Sequence, residues 1–477
     1  MSVHAAMSPQ GDTSAPEHAS ALRAIPTPEG RLFFGNALEL WRDPLQLIAR
    51  ACREHGDVVR LRFGPYDYYV VNSAEGAKHL LVDNHKNYVK SRNYQALRVV
   101  LGDGLITSEG DFWRRQRKLV QPAFHRERLA GFAATMADDT AAMLARWRSE
   151  GAIGGELDLQ AEMLRLTFRI VGRTLFSVDV DGDAEPIGRA INVALQWAED
   201  FSGSIVKIPT WVPTPSNVRF GRARRVLDEL VMRIIRERRE SRQDRPDLLS
   251  MLMAATFEGD DAGAAHAQKS ETMDDRQLRD EVMTLVLAGH ETTANALTWA
   301  FYLLSKHPDV ERRMHREVVD VLGDRAPTFE DLPKLRYTQM VVQETMRLYP
   351  PVWIFEREAI AEDRIGPYAI PKGAVVAVSP WALHRNEAYW SNPEGFDPER
   401  FSQAEIERRP RHAYLPFSVG PRVCVGNSFA MMEAQIILAA VVQRHRLELV
   451  PSQDIELDPK ITLRPKHGLR MMVRARA

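Results

Sequence analysis

The sequence predicts a mainly α-helical protein with a smaller β-rich part, on three observations. From about Phe112 to Ser250, apolar residues recur mostly at helical spacing. A second run, from about Arg276 to Leu304, is apolar on nearly all sides in its middle, as expected for a buried helix. Short runs of β-branched and aromatic residues, bounded by Gly and Pro, supply the β-rich part.

The first predicted elements are a tail and a β-hairpin. Residues 1–24 are rich in Ala, Ser, Pro and His, so we expect a disordered tail before a single domain of residues 25–477. Within that domain, Val58 to Phe63 and Tyr68 to Val71 are strand-like runs on either side of Gly64-Pro65. This pattern predicts a hairpin.

Loops and strands are predicted around the two helical regions. The proline-rich stretch Pro209 to Pro215 interrupts the first region, and the small, polar stretch Gly259 to Ser270 predicts a surface connection. At about 1.5 Å per residue the long apolar helix would extend roughly 40 Å, enough to cross a domain. A strand is predicted at Ala374 to Ser379, and a pair of strands over residues 461–473, turning near Lys466.

Composition and charge argue against several classes of partner. The 477 residues are 44% hydrophobic, and the net charge of -1 gives no bulk electrostatic reason to bind nucleic acid or a membrane. The N-terminal residues contain no apolar run near the roughly 20 residues that a membrane span needs. Two cysteines, Cys52 and Cys424, cannot form a disulfide framework. We expect a soluble, cytoplasmic monomer.

The most informative stretch runs from Phe417 to Gly426. Cys424 stands just before an apolar helical run, where unpaired backbone N–H groups and the helix dipole stabilise a thiolate. Gly420 and Gly426 permit tight turns and close approach to a flat group, and Arg422 can reach an anion on that group. Haem has this form, because it needs an axial ligand and carries two carboxylates. A lone cysteine, by contrast, is usually a small buried apolar residue.

This stretch matches the haem-binding signature F-x-x-G-x-R-x-C-x-G of the cytochrome P-450 family at every fixed position. The chain resembles that family from about Ile25 onwards. The resemblance implies the cytochrome P-450 fold, a haem b cofactor and Cys424 as the thiolate ligand of the iron. It also implies a monooxygenase that inserts one oxygen atom from O2 into a hydrophobic substrate. Phe417, Gly420, Arg422 and Gly426 are then haem-binding residues.

A second motif, Ala288-Gly-His-Glu-Thr-Thr293, lies inside the long helix. Gly and a Glu–Thr pair are unfavourable in a helix interior, and the Thr292 hydroxyl could bond a carbonyl one turn back. The segment is similar to the family's distal motif [AG]-G-x-[DE]-T-[TS]. By that resemblance Thr292 hydrogen-bonds dioxygen, Glu291 relays protons and Ala288 contacts haem. His290 should point elsewhere on the helix rather than bind iron.

Further resemblances concern the haem edge. Trp113 and Arg117 match the family's W-x-x-x-R helix, and Arg357 stands where the family often has a propionate-binding arginine. Ordinary solvent-exposed arginines are the alternative.

A separate resemblance concerns fold stability. The resemblance places Glu344, Arg347 and Arg400 in a buried charge network that is structural rather than catalytic. An ordinary surface ion pair between Glu344 and Arg347, at helical spacing, is the alternative.

The resemblance also suggests partners. Arg114, Arg115 and Lys118 share the Trp113 helix, which in the family flanks the docking face of an acidic electron donor. A ferredoxin or flavodoxin would fit, although a solvated basic face is the simpler alternative. An apolar pocket predicts a small hydrophobic substrate, and the resemblance implies one of the fatty-acid, terpene or steroid class. Its expected walls are Leu105, Ile106, Leu287, Val352, Trp353 and Ile354.

Two other functions stay open at this point. One is a haem-thiolate peroxygenase or isomerase, in which the acid–alcohol pair is usually altered, whereas Glu291-Thr292 is intact here. The other is a non-catalytic haem protein that binds a gas or a lipid, which would need neither a proton relay nor a docking face for an electron donor.

Overall fold

The computed structural model describes residues 22–476 apart from 181, 183, 205–206, 242–244, 246, 255 and 258–270. Most of the predicted tail therefore lies outside the described residues. The predicted surface connection Gly259 to Ser270 lies outside them as well. Arg23 is described, and its backbone N–H donates to the carbonyl of Pro367 at 2.9 Å.

Helices dominate the described part of the chain, as the sequence predicts. They are α1 (Ala37–Arg42), α2 (Pro44–His55), α3 (Ala74–Lys78), α4 (Tyr94–Leu101), α5 (Gly110–Val120), α6 (Arg126–Ser149), α7 (Leu159–Leu175), α8 (Ala184–Gly203), α9 (Pro215–Ser241), α10 (Leu248–Ala254), α11 (Asp275–Lys306), α12 (Pro308–Leu322), α13 (Arg336–Leu348), α14 (Pro380–Leu383), α15 (Gln403–Arg408) and α16 (Asn427–Arg444).

The strands form small sheets. They are β1 (Val58–Phe63), β2 (Tyr66–Val71), β3 (Tyr88–Lys90), β4 (Glu156–Asp158), β5 (Thr256–Phe257), β6 (Glu271–Thr272), β7 (Phe355–Ala359), β8 (Asp363–Ile365), β9 (Tyr368–Ile370), β10 (Val375–Val378), β11 (His445–Leu449), β12 (Leu457–Pro459), β13 (Leu463–Pro465) and β14 (Arg470–Ala475). The largest described sheet has five strands in the order β1-β2-β10-β7-β3. The fold class is confirmed as mainly α with a smaller β-rich part.

Helix α11 forms the centre of the helical part and confirms the predicted long buried helix. It begins at a capping box, in which the Asp274 side chain accepts from the Gln277 backbone and the Gln277 side chain accepts from the Asp274 backbone. It packs along α7 and also contacts α9, α13 and α16. A Cβ added at Gly289 would lie 3.0 Å from a methyl carbon of Val171 on α7. Gly289 therefore lets the two helices pack closely.

The N-terminal hairpin and the strand near Ala374 are confirmed. β1 and β2 pair antiparallel with Val58 opposite Val71, and Gly64 takes a φ of +61° in the turn between them. β10 then pairs parallel with β2 and antiparallel with β7. The loop predicted at Pro209 to Pro215 ends where α9 begins at Pro215, a residue suited to the first position of a helix.

The predicted C-terminal strand pair is wrong in its pairing. Strands occur on both sides of Lys466, but β13 pairs with β12, whereas β14 pairs with β11 and β4. The reason is tertiary packing. Leu463 in β13 donates its N–H to the carbonyl of Pro351, while Met471 and Val473 in β14 are buried in the helical core. The β12–β13 hairpin therefore contributes to the lining of the cavity described next.

Candidate active site

A cavity of about 1320 Å³ lies between helix α11 and the loop that precedes α16. Its lining includes all of the predicted catalytic, iron-binding and substrate-pocket residues. The predicted haem-binding residues line it as well, except Gly420. Gly420 faces the protein instead. Its φ is +75°, and an added Cβ would lie 2.1 Å from the carbonyl oxygen of Leu81. Glycine at this position lets the cysteine loop pack against the chain at Leu81.

Hydrogen bonds within the cysteine loop direct the thiol towards the cavity. The backbone N–H of Cys424 donates to the carbonyl of Phe417 at 2.9 Å, and that of Val423 donates to Gly420 at 3.0 Å. Arg117 on α5 donates to the carbonyl of Val423 at 2.6 Å. Arg117 therefore holds the loop in place at Val423, the residue that precedes the thiol.

The Cys424 side chain is exposed although protein surrounds it, because the surface it presents faces the cavity. This enclosure raises the pKa of the thiol, and the Gly426 N–H and the Arg117 charge lower that pKa by less. A bound metal ion would favour the thiolate, since a coordinating thiol is deprotonated.

Cations converge on another part of the cavity wall. Strand β3 pairs antiparallel with β7 so that Lys90 lies directly opposite Arg357, and both line the cavity. Arg422 joins them, with its guanidinium 3.8 Å from the centre of the Trp113 ring. Glu109 is the carboxylate that faces this group, because it pairs with Arg422. Sequence reasoning missed Lys90, whose role depends on its strand partner.

These cations repel one another. Burial lowers the pKa of Lys90 well below its usual range, and the charges of Arg357 and Arg422 lower it further. Burial also lowers the pKa of Arg422, to about 10. Like charges directly opposite in a sheet destabilise it. An anionic group in the cavity would relieve this repulsion, so a haem with its carboxylates at Lys90, Arg357 and Arg422 fits the residues present.

The acid–alcohol pair on α11 is held by two different contacts. The Thr292 hydroxyl donates to the carbonyl of Ala288 at 2.7 Å, as the sequence predicts. Glu291 is buried, and its Oε1 accepts from the Thr462 hydroxyl at 2.7 Å. Asn295 in turn donates to Thr462 at 3.0 Å. Thr462 and Asn295 were missed, because Thr462 belongs to the distant β12–β13 hairpin.

His290 lies on another side of α11, as expected. Its Nδ1–H donates to the carbonyl of Val286 at 2.9 Å, and its ring packs edge-to-face against Phe168 of α7. Burial lowers the pKa of this imidazole. His290 is thus a packing residue between two helices.

Glu344 and Arg347 form a fully buried ion pair on α13, with Arg347 Nε 2.7 Å from Glu344 Oε2. Arg347 also donates to the carbonyls of His384 at 3.0 Å and Gly395 at 2.7 Å. Arg400 lies 3.4 Å from Glu344 Oε1. The three charges thus tie α13 to the segment that precedes the cysteine loop.

Comparison with known proteins identifies the family. The cytochrome P-450 family model matches residues 25–471. The chain belongs to this family. It is a haem b-containing monooxygenase that uses O2 and a redox partner.

Relatives of this cytochrome P-450 include two proteins of Streptomyces melanosporofaciens. "Cyclooctatin synthase" is 38% identical over 444 residues, covering 91% of this chain and 92% of the relative. "Cyclooctat-9-en-7-ol 5-monooxygenase" is 37% identical over 418 residues, covering 87% and 88%. The solved structure described as "Crystal structure of cytochrome P450DA heme domain" is 26% identical with a TM-score of 0.85, covering 96% of this chain and 98% of that one.

The rest of the lining in this cytochrome P-450 is mostly apolar. Residues of this kind come from α4, α8, α11 and the segment before β7, and include Leu97, Leu101, Leu195, Leu285, Val352 and Ile354. Trp353 has a second role, because its indole N–H donates to the carbonyl of Lys460 at 2.7 Å and so anchors the β12–β13 hairpin. Among the described helices, none combines the length and hydropathy needed to cross a membrane.

Proposed function

We propose that this cytochrome P-450 oxygenates terpene-related molecules, with residues 25–477 acting as one haem domain. The observation that carries the proposal is the apolar chamber that adjoins the thiol and the acid–alcohol pair. Two relatives point to the substrate class, since their names concern cyclooctatin and an unsaturated alcohol, cyclooctat-9-en-7-ol. A large apolar chamber suits such a substrate, because burial of its surface provides the binding free energy.

Cys424 is the proposed iron ligand. Bound haem supplies an iron centre that activates O2, with electron density donated by the thiolate. Lys90, Arg357 and Arg422 hold the haem carboxylates, and Arg117 keeps the cysteine loop in position by its bond to Val423. Phe417, Gly426, Trp113 and Ala288 complete the haem-contacting wall in this proposal.

Thr292 and Glu291 handle protons. The Thr292 hydroxyl donates a hydrogen bond to the Ala288 carbonyl. Its oxygen lone pairs therefore face the cavity and can accept a hydrogen bond from a water molecule or a protonated group there. Glu291 can pass a proton to that water, and Thr462 fixes the position of its carboxylate. This pair is intact, which favours an O2-dependent enzyme over a peroxygenase, an isomerase or a passive ligand binder.

Electrons arrive from a separate ferredoxin or flavodoxin in this proposal. Arg114, Arg115 and Lys118 are exposed on α5, while Gln116 and Val120 on the same helix are buried. The exposed side presents positive charge to an acidic donor, and the same helix carries Arg117, which reaches the cysteine loop. Electrostatic attraction would steer the encounter.

Spectroscopy tests both parts of the proposal. A red-shifted Soret band in the reduced carbon-monoxide difference spectrum, lost in Cys424→Ser, is expected for thiolate ligation. Titration with abietadiene, palmitate and progesterone then compares the terpene, fatty-acid and steroid classes by the shift of the haem spectrum. Abietadiene should bind most tightly. Tighter binding of palmitate or progesterone would overturn the terpene assignment without affecting the thiolate.

A further inference from the structure

A pair of charged side chains interrupts the apolar chamber where α8 meets the β12–β13 hairpin. Glu199 of α8 and Lys460 of the hairpin turn both line the cavity, and Lys460 Nζ lies 3.2 Å from Glu199 Oε2. The other carboxylate oxygen of Glu199 accepts from the backbone N–H of Ile461 at 2.6 Å. These contacts fix the position of the pair. Lys460 belongs to the same hairpin as Thr462, whose hydroxyl binds Glu291.

This pair has hydrogen-bonding capacity left over. Glu199 Oε2 is buried, and its near partner is the Lys460 ammonium at 3.2 Å. The Lys460 ammonium carries three donors, and its other charged neighbour, Asp458, is 4.0 Å away, too far for a hydrogen bond. Burial raises the pKa of Glu199, whereas Lys460 lowers it. A carboxylate oxygen has two lone pairs, so Glu199 Oε2 can accept from a further donor that reaches it.

The local charge selects what can bind there. Lys460 offsets Glu199, and Arg464 offsets Asp458 at 3.1 Å, so the cluster is close to neutral. A substrate carboxylate would bring an additional negative charge next to two carboxylates and would leave the buried cluster with a net negative charge. A hydroxyl group brings no charge and can both accept from Lys460 and donate to Glu199. The flexible lysine stem lets its ammonium pivot to admit such a group.

We propose that Glu199 and Lys460 form a specificity site for a hydroxyl group on the substrate. The preferred substrate is then a terpene alcohol rather than a terpene hydrocarbon or a terpene acid. A hydroxyl-forming reaction, either cyclisation ended by water or an earlier hydroxylation, must supply it. This inference rests on the proposed function, because it refines the terpene class named there.

The test uses one carbon skeleton with three substituents. Abietadiene, abietadienol and abietic acid carry a methyl, a hydroxymethyl and a carboxyl group at the same position. Haem-spectral titration of the wild-type holoenzyme should give the tightest binding for the alcohol, by about tenfold over the hydrocarbon, since hydrogen bonds to charged groups are among the stronger ones. The ionised acid should bind more weakly than the alcohol.

Two variants and a matched control locate the effect. Lys460→Met and Glu199→Gln should each remove most of the preference for abietadienol and leave the affinity for abietadiene within about twofold. Arg474→Met is the control, because it breaks an exposed ion pair with Glu448 outside the cavity lining and should keep the preference. Each variant is first checked for its carbon-monoxide difference spectrum.

The outcomes separate the two proposals. Equal loss of affinity for the alcohol and the hydrocarbon in Lys460→Met would make the pair a structural latch and overturn the hydroxyl site alone. A wild-type preference for abietadiene or abietic acid would overturn it without any variant, even where the variants fail to fold. If none of the three compounds shifts the wild-type haem spectrum, the terpene substrate class itself is refuted.

Discussion

Thr462 offers the most direct test of how the site is assembled. Its hydroxyl donates to Glu291 Oε1 at 2.7 Å and accepts from Asn295 at 3.0 Å. Thr462→Val keeps the shape of the side chain and removes both hydrogen bonds. A hydrogen bond to a carboxylate contributes about 1.5–3 kcal/mol, so the held orientation of Glu291 should become roughly 10- to 100-fold less favoured. Thr462 acts on the chemistry through Glu291, which makes it a positioning residue.

The expected result is a loss of coupling rather than of substrate affinity. Less product should form per NAD(P)H oxidised, by roughly tenfold, because the proton of Glu291 is delivered from the wrong place. The free energy of unfolding should also fall by about 1–3 kcal/mol, since Thr462→Val leaves the fully buried Asn295 amide without its acceptor. Product analysis against NAD(P)H consumption measures the coupling, and urea unfolding measures the free energy of unfolding.

Thr462→Ser is the matched control, because it keeps the hydroxyl. Thr462→Ser should retain wild-type coupling, while its smaller side chain should lower the free energy of unfolding. Wild-type coupling in Thr462→Val, together with reduced stability, would show that Thr462 merely holds the hairpin in place. The reasoning about Glu291 would then be refuted, although the assignment of Cys424 would stand.

Three further variants test other parts of the site. Thr292→Ala should also uncouple NAD(P)H oxidation from product formation, and unchanged coupling would remove Thr292 from the proton path. Lys90→Met should accelerate haem transfer to apomyoglobin without destabilising the haem-free protein, because it deletes one of two like charges opposite each other. Glu344→Gln should lower the free energy of unfolding by about 3–5 kcal/mol in a urea titration, since it leaves Arg347 buried and unpaired. If the free energy of unfolding falls by less than about 1 kcal/mol, the buried pair does not contribute substantially to the stability of the fold.

The sequence predicts those parts of the site that a continuous segment carries. Cys424 and its neighbours, and the Glu291-Thr292 pair, lie within runs of about ten residues whose residue types are unusual for their position. The partners of these groups lie far away in the chain, as Thr462 does from Glu291. A hydrogen bond across such a separation depends on how the hairpin packs, which local residue patterns do not determine.

The glycines illustrate the same limit. The sequence predicts that Gly420 approaches a flat group, and it marks Gly289 as unfavourable in a helix interior. The structure places protein beside both glycines, Val171 at Gly289 and the Leu81 carbonyl at Gly420. The C-terminal strands failed for a related reason, because a strand pattern fixes the side-chain alternation and leaves the partner strand undetermined.

The pairing of Lys90 with Arg357 shows how a departure from ordinary folding preferences can mark a function. A sheet gains stability from opposite charges or apolar pairs at facing positions, and here two cations face each other at the border of a cavity. Their repulsion is a cost to the folded protein that a group with two carboxylates removes. We therefore expect haem binding and folding to be coupled at this sheet edge, because a cofactor held there would stabilise the folded state by relieving the repulsion.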